Sequence, residues 1–193
     1  MRYKEGHKEA SKSEILSAAS RRFKRDGIAA TGIARVMTDA GLTNGAFYAH
    51  FGSKDNLIRE TMDAALDEQR ERYVGAVHDQ ADLEAAIRDY LSPRHRDNPA
   101  FGCPTSVLAP ELSRQPRRTR KSYTEKLTKL LDLLSKHVPA VDADEARRRT
   151  AVVMGNLVGA LQMSRAITDV EMSDRLLADA ADAAIAYVRR EAP

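Results

Sequence analysis

Apolar positions recur at helical spacing along most of the chain, and the clearest example is the stretch Thr31–Lys54. The apolar residues in its first half recur at intervals of three and four, which is the spacing of one helix face. They are Ile33, Val36, Met37 and Ala40. Gly41 ends this segment, because glycine adopts the left-handed conformation that a helix end often needs. A second short helix follows, from Asn44 to about His50, so the stretch predicts a helix-turn-helix.

The same periodicity predicts an all-α chain of about nine helices. Thr31, Thr43 and Ser53 are the predicted N-caps of the second, third and fourth helices, because a hydroxyl group can accept a free backbone N–H. Asp142 or Asp144 caps a later one. Besides the helix-turn-helix, the predicted helices cover about 12–25, 53–77, 79–91, 103 onward, 115–137, 142–168 and 173–190.

Three segments interrupt this helical pattern. Residues 1–10 are predicted to be a mobile arm, whose Arg2, Lys4 and Lys8 could reach phosphates, or else a frayed terminus. Residues 92–100, SPRHRDNPA, are predicted to form a loop. Pro110 lies inside an apolar run, where a proline is expected to kink or restart the helix, and broken helix packing often borders a cavity.

Charge is unevenly distributed along the 193 residues, although the net charge is only +3. Residues 1–54 contain ten Lys/Arg and five Asp/Glu, a net charge of +5. The remaining residues contain 21 and 23, a net charge of −2. The basic excess therefore accompanies the helix-turn-helix, where phosphate is expected.

Composition excludes several other classes of protein. No apolar run approaches the ~20 residues that span a bilayer, and the polar N-terminus lacks the apolar middle of a secretory signal. A single cysteine predicts a reducing, cytoplasmic location. The five histidines lack metal-ligand spacing, and no phosphate-binding glycine loop or Ser-His-Asp set is present, so we expect neither an enzyme nor a cofactor nor a metal site.

From Thr31 the chain reads T-x-I-x-x-V-x-x-x-A-G-L-T-x-G-x-F-Y-x-H-F-x-S-K-x-x-L, ending at Leu57. This string resembles the DNA-binding domain of the tetracycline-repressor (TetR) family of bacterial transcriptional regulators, and the close match covers roughly Ile15 to Leu57. Met37 departs from the small residue, usually alanine, that such proteins have there. The resemblance implies a helix-turn-helix domain over residues 1–54, with the motif at about 32–51, and a helical ligand-binding and dimerisation domain over 55–193.

Residue chemistry and the resemblance together predict the DNA contacts. Gly45 lets the backbone approach DNA, and the Asn44 amide can pair with adenine. A hydroxyl on Tyr48 and a partial positive charge on His50 suit phosphate, although packing is the alternative for both. The resemblance assigns phosphate contacts to Thr31, Thr43, Tyr48, His50 and Lys54, and the positions nearest the bases to Thr43, Asn44, Gly45 and Ala46. Arg35 completes the predicted set.

The last two predicted helices are rich in glycine and alanine. Gly155 and Gly159 lie four residues apart in a helix interior, where each costs ~1 kcal/mol relative to alanine, so close approach of another helix is expected. In the resembling family the last two helices form a four-helix dimer interface, and burial within one chain is the alternative. The predicted dimer residues are Val152, Gly155, Gly159, Leu177, Ala181, Ala184 and Val188.

A pocket in the C-terminal domain is also implied by the resemblance. The candidate lining residues, each of which has ordinary core packing as its alternative, are Met62, Leu66, Tyr90, Phe101, Cys103, Leu108, Tyr123, Leu127 and Met163. Cys103 has two interpretations. At a helix N-terminus its thiol could sense oxidants or electrophiles, or it could be a small buried packing residue.

We expect a cytoplasmic homodimer that binds palindromic DNA and represses transcription. The resemblance implies that a small apolar or amphipathic effector enters the C-terminal domain and releases the DNA. Two other classes stay open. One is a ligand-independent architectural or activating DNA-binding protein. The other is a small helical enzyme, against which the missing catalytic set argues.

Overall fold

The computed structural model describes residues 3–190, with side chains from residue 8 onward, and confirms the all-α fold. Within that part of the chain there are ten α-helices, one 3-10 helix and no strand. The helices are α1 (Tyr3–Asp26), α2 (Ile33–Asp39), α3 (Asn44–His50), α4 (Lys54–Ala76), α5 (Gln80–Tyr90), α6 (Pro93–Asp97), α7 (Pro104–Leu112), α8 (Arg117–Ser135), α9 (Ala143–Ala166) and α10 (Val170–Arg189). The 3-10 helix Pro99–Phe101 lies between α6 and α7.

Helix α1 begins earlier than the sequence pattern predicted. The expected start was Lys12, after a mobile arm, but the helix already includes Tyr3. Residues 3–10 are rich in lysine and glutamate, which favour helices, and contain no proline, so nothing there stops the helix from extending. Arg2 and the side chain of Lys4 lie outside the described residues, whereas Lys8 is exposed on α1.

Side chains that accept a backbone N–H three residues later cap several helices. Ser53 caps α4 as predicted, and Asp142 rather than Asp144 caps α9. Asp169 caps α10, so that helix begins at Val170, earlier than expected. Asp79 and Ser92 cap α5 and α6 in the same way, so five of the ten described α-helices begin at a side-chain cap.

The prediction of a loop over residues 92–100 is wrong. Ser92 accepts the backbone N–H of His95 and so caps α6, with Pro93 at the first helical position, where no N–H is needed. Of the two outcomes expected at Pro110, a kink or a restart, the restart does not occur, because α7 continues through this residue. This proline lies in the last turn of α7, so it removes at most one hydrogen bond before the helix ends.

Two apolar cores organise the molecule. The first, which we call the head core, joins side chains of α1, α2, α3 and the first half of α4 to Leu108 and Leu112 of α7. The second, the body core, joins α5, α8, α9 and α10 to Cys103, which directly precedes α7. The head, α1–α3, therefore shares its core with helices beyond residue 54. The division into domains 1–54 and 55–193 stays a prediction.

Two searches of the described residues found no match. None of these helices is both long and apolar enough to cross a membrane. No group of three or more His, Cys, Asp or Glu residues among them is arranged to hold a metal ion.

We predict that Leu108→Ala destabilises the protein although Leu108 lies far from the head in sequence. The side chain is fully buried in the head core, and Leu→Ala substitutions at such sites cost about 2–5 kcal/mol of unfolding free energy. Urea unfolding measures this loss. Val141→Ala, at an exposed position, is the control and should stay within about 0.5 kcal/mol of the wild type. Equal midpoints for Leu108→Ala and the wild type would contradict the prediction.

Candidate nucleic-acid interface and cavity

Helices α2 and α3 form the helix-turn-helix through a tight turn. Gly41 has a φ of 68°, which a side chain would disfavour, and the backbone N–H of Leu42 donates to the carbonyl of Met37 over 2.9 Å. Phe47 of α3 is fully buried in the head core and stacks with Phe51 at a centroid distance of 5.9 Å. Burial of these rings fixes which face of α3 points outward.

The outward face of α3 carries most of the predicted DNA-contacting residues. Thr43, Asn44, Gly45 and Tyr48 are exposed, and so is Arg35 on α2. The Tyr48 side chain is 68% exposed, and its ring meets the Phe47 ring edge-on. Thr43 occupies the N-cap position of α3, but its side chain makes no capping hydrogen bond. Hydroxyl, amide and guanidinium donors are therefore presented together on one surface.

Thr31 does not have the role that the sequence predicted. Its side chain is buried, and its hydroxyl donates to the carbonyl of Gly27 over 2.7 Å. Gly32, not Thr31, occupies the N-cap position of α2. The hydroxyl closes the turn between α1 and α2, so we remove Thr31 from the candidate phosphate contacts.

The remaining predicted residues lie at the edge of this surface. Ala46, His50 and Lys54 are half-buried, and Lys54 begins α4. Burial lowers the pKa of His50 below its ordinary value, and the nearby positive charges of Lys8 and Lys12 lower it further. Both effects disfavour the protonated imidazole in the protein without DNA.

An ion-pair cluster that the sequence analysis missed joins α1 to α2. The Arg22 guanidinium donates to both carboxylate oxygens of Asp39, over 2.5 and 2.9 Å, and to Asp26 over 3.1 Å. Hydrogen bonds from Arg25 and Arg22 lower the pKa of Asp26 to about 2. The hydrogen bond from Arg22 likewise lowers the pKa of Asp39. Arg22 and Asp39 are 17 positions apart, so helical spacing carried no sign of this contact.

A cavity of about 770 Å³ lies in the body, between α4, α5, α6 and the segment before α7. Three of the nine predicted residues line it: Tyr90, Phe101 and Cys103. The prediction chose Met62 and Leu66 on α4, whereas the α4 residues that line the cavity lie further along that helix. The missed residues include Gln69, Arg72, Tyr73, Ala86, Asp89 and His95.

The other six predicted pocket residues do not line this cavity. Met62, Leu66 and Leu108 are fully buried in the head core, because the first half of α4 and the end of α7 face the head. Tyr123 and Leu127 are half-buried on α8, and the Tyr123 hydroxyl donates to Thr105 over 3.4 Å. Met163 is 60% exposed on α9. The alternative of ordinary core packing describes the first three residues correctly.

Polar groups in the cavity wall hydrogen-bond to one another. Nδ1 of His95 donates to the carbonyl of Tyr90 over 2.7 Å, and Nε2 accepts the backbone N–H of Cys103 over 3.0 Å. Burial lowers the pKa of His95 and raises the pKa of Tyr73 to about 12. The Cys103 thiol is buried and donates to Oε1 of Gln69 over 3.6 Å. Burial thus favours the uncharged forms of His95 and Tyr73, and the buried thiol agrees with the packing interpretation of Cys103.

The predicted dimer residues fall into two groups. Val152, Gly155 and Gly159 lie along one outward face of α9, and a Cβ built at either glycine would meet no other atom within 4 Å. The expected close approach of another helix therefore does not occur within the described chain. The others are buried in the body core where α9 packs against α10, so their assignment to a dimer contact is wrong. They are Leu177, Ala181, Ala184 and Val188.

Comparisons with known proteins agree with this geometry. The profile of the family described as "Bacterial regulatory proteins, tetR family" matches residues 15–61. The chain is 32% identical over 85 residues to the uncharacterized HTH-type transcriptional regulator YfiR of Bacillus subtilis, covering 44% of this chain and 41% of YfiR. It is 23% identical over 120 residues to the HTH-type transcriptional repressor KstR2 of Rhodococcus jostii, covering 62% of this chain and 59% of KstR2.

A solved structure extends the likeness to the whole chain. A TetR transcriptional regulator from Chloroflexus aurantiacus superposes with a TM-score of 0.74 at 22% identity, over 99% of this chain and 98% of that one. At this identity the superposition establishes the fold. The two curated relatives are each matched over less than two thirds of their own length.

We predict that the pKa of His50, followed by NMR titration, lies below its ordinary value of 6.5 and rises in Lys12→Gln, which removes a nearby positive charge. As the pH falls, the unfolded chain takes up this proton before the folded chain does. The contribution of His50 to the unfolding free energy is therefore complete above about pH 6.5 and is lost below it. Lys121→Gln, on α8, is the control and should not move the titration. A His50 pKa above 6.5 would contradict the prediction.

Proposed function

Because the chain belongs to the TetR family of helix-turn-helix transcriptional regulators, we propose that it represses transcription by binding an inverted-repeat operator as a homodimer. We further propose that a small effector enters the body cavity and releases the DNA. The observation that carries the proposal is the exposed face of α3, which presents Asn44 and Tyr48 outward from a rigid, buried Phe47. The repressor KstR2, named above, supports repression rather than activation.

The proposed DNA contacts follow from exposure and chemistry. Helix α3 enters the major groove, as the second helix of such motifs does, and Asn44 at its start hydrogen-bonds a base edge. Tyr48 and Arg35 hydrogen-bond phosphates. Thr43, Gly45 and Ala46 lie close to the bases. His50 and Lys54, at the edge of the surface, bind phosphates of the DNA backbone. A nearby phosphate favours the protonated imidazole of His50.

The proposed homodimer is supported by the outward face of α9. A single helix-turn-helix contacts few base pairs, whereas two copies related by a two-fold axis contact two half-sites of a palindrome. The α9 face carries Val152 and Met163, more than half exposed, on either side of Gly155 and Gly159. Small residues between apolar ones allow a partner helix to pack closely.

The proposed effector is small and carries no net charge. Carboxylates and guanidinium groups balance in the cavity wall, where Asp82 and Asp89 accompany Arg72 and Arg94, and Arg94 pairs with Asp89 over 2.5 Å. Tyr73, Tyr90 and the exposed Phe101 ring provide apolar contact surface. By linkage, an effector that weakens DNA binding binds more weakly to the DNA complex. We propose that the protein acts by binding alone, without catalysis. We also propose that it is located in the cytoplasm.

Selection of bound duplexes from a random DNA pool, at near-physiological salt, tests the proposal. An enriched inverted repeat is the expected result. Folded protein that enriches no sequence would contradict a sequence-specific regulator, and enrichment of a single half-site would contradict the dimer.

We predict that Asn44→Ala and Tyr48→Phe affect binding to the selected duplex differently. Asn44→Ala should relax discrimination at one base position of each half-site by about 1–3 kcal/mol, because its base contact is lost. Tyr48→Phe should weaken binding about fivefold on every sequence, because a phosphate hydrogen bond is worth about 1 kcal/mol. Fluorescence anisotropy with single-base operator variants measures both effects. Unchanged affinity and specificity in both variants would remove α3 as the recognition helix.

We predict that Val152→Glu converts the dimer to a monomer at micromolar concentration, because the substitution places an unpaired charge in the proposed interface. Val141→Glu is a matched control, since Val141 is as exposed as Val152 but lies in the connection before α9. Sedimentation velocity measures the oligomeric state. A Val152→Glu variant that sediments as a dimer would place the interface elsewhere.

A further inference from the structure

The end of α1 is held to the body at two points, one near each end of α7. The Lys24 ammonium group donates to the carbonyl of Gly102, two residues before α7, over 3.2 Å. The Glu111 carboxylate, in the last turn of α7, accepts the backbone N–H groups of Ile28 and Ala29 over 3.1 and 2.9 Å. Both contacts join residues that are more than seventy positions apart in the chain.

The Glu111 contact fixes the connection between α1 and α2. Each of its two oxygens accepts one N–H, and a charged acceptor makes hydrogen bonds about twice as strong as a neutral one. The carboxylate also lies against Gly27, where an added Cβ would come within 2.9 Å of Oε1. Leu108 and Leu112, on the same half of α7, are buried in the head core. The last turns of α7 therefore move with the head.

The residues directly before α7 belong to the cavity. Phe101, Gly102 and Cys103 line it, and the His95 ring accepts the backbone N–H of Cys103. We call these three residues the cavity lip. Lys24 is buried beside the lip. A displacement of Gly102 therefore either breaks the hydrogen bond from Lys24 or moves Lys24 with it. A nine-residue helix of about 14 Å then separates the lip from the loop that Glu111 holds.

We infer that α7 couples the cavity to the recognition helix, with Lys24 and Glu111 as positioning residues that transmit displacement of the cavity lip to the connection between α1 and α2. This inference rests on the proposed release of DNA by a cavity effector and identifies the contacts through which it acts. The route is direct: it passes from the lip to the loop that precedes α2, without using the length of α4. Occupation of the cavity moves the lip, and the loop follows.

Gly102→Ala displaces the lip without an effector. Gly102 has a φ of −82°, which alanine adopts freely, but a Cβ there would overlap the ring of His95. Glu111→Gln keeps the side-chain volume and replaces one acceptor oxygen with a donor that faces a backbone N–H. Lys24→Met keeps the apolar stem and removes the ammonium group. Matched controls are Glu125→Gln and Lys121→Met, two residues that pair with each other on the exposed face of α8.

Hydrogen exchange on the full-length protein tests the coupling without DNA. Glu111→Gln should raise the exchange rate of the Ile28 and Ala29 amides about tenfold, because charge-assisted hydrogen bonds protect them. Gly102→Ala should raise the rates both in residues 95–103 and in residues 27–32. When Glu111→Gln is already present, Gly102→Ala should raise the exchange rates of residues 27–32 by less than twofold, because the Glu111 contact is already broken. Both controls should leave the rates within twofold of the wild type.

The outcome that overturns the inference is equally specific. If Gly102→Ala changes exchange in residues 95–103 and leaves residues 27–32 within twofold of the wild type, the lip and the loop are not coupled. Should Glu111→Gln fail to fold, as judged by circular dichroism, Lys24→Met replaces it. That variant should lower the effect of Gly102→Ala at 27–32 to less than half, and an undiminished effect overturns the inference.

Affinity for the selected duplex separates this inference from the proposed function. Gly102→Ala alone should weaken DNA binding at least fivefold relative to the wild type. When Gly102→Ala is added to Glu111→Gln, most of this loss of affinity should be absent. A wild type that selects no duplex contradicts the proposed function, whereas the exchange experiment still decides the coupling. If the wild type selects a duplex and the effects of Gly102→Ala and Glu111→Gln on its binding free energy add fully, the function is supported and the coupling is overturned.

Discussion

Burial of apolar side chains between the head and the helices behind it is the constraint on which the rest of this structure depends. Helices α2 and α3 have only seven residues each, and Phe23 and Phe47 share their core with the first half of α4 and with Leu108 and Leu112. Every outward-facing group on α3 takes its direction from this packing. The same burial ties the orientation of the recognition helix to α7, which directly follows the cavity lip.

Periodicity and capping chemistry were sufficient to predict most of the fold. Apolar spacing located the helix-turn-helix, Ser53 caps α4 as expected, and Asp142, one of the two predicted candidates, caps α9. Prediction from short sequence segments failed where the same residues suit two different local structures. Proline and asparagine in residues 92–100 predicted a loop, yet Ser92 and Pro93 also satisfy the requirements of a helix start. A threonine before a helix predicted a cap, but the Thr31 hydroxyl bonds back to Gly27.

The candidate sites were harder to predict, because one helix face can meet either a core or a cavity. Met62, Leu66 and Gln69 lie on the same stripe of α4, yet the first two cover the head and only Gln69 reaches the cavity. Leu177 and Val152 are both apolar residues of the final helix pair, yet one is fully buried and the other exposed. Only the packing of α9 against α10 distinguishes these cases, and a single sequence does not contain it.

The Arg22–Asp39 ion pair has a consequence for the ionic strength at which the protein works. Its side chains are partly exposed, so dissolved ions screen the attraction that helps to hold α2 against α1. Added salt thus acts on the alignment of the protein as well as on phosphate attraction. The slope of log affinity against log salt concentration will then be steeper than the phosphate contacts alone produce, because salt also weakens this ion pair inside the protein.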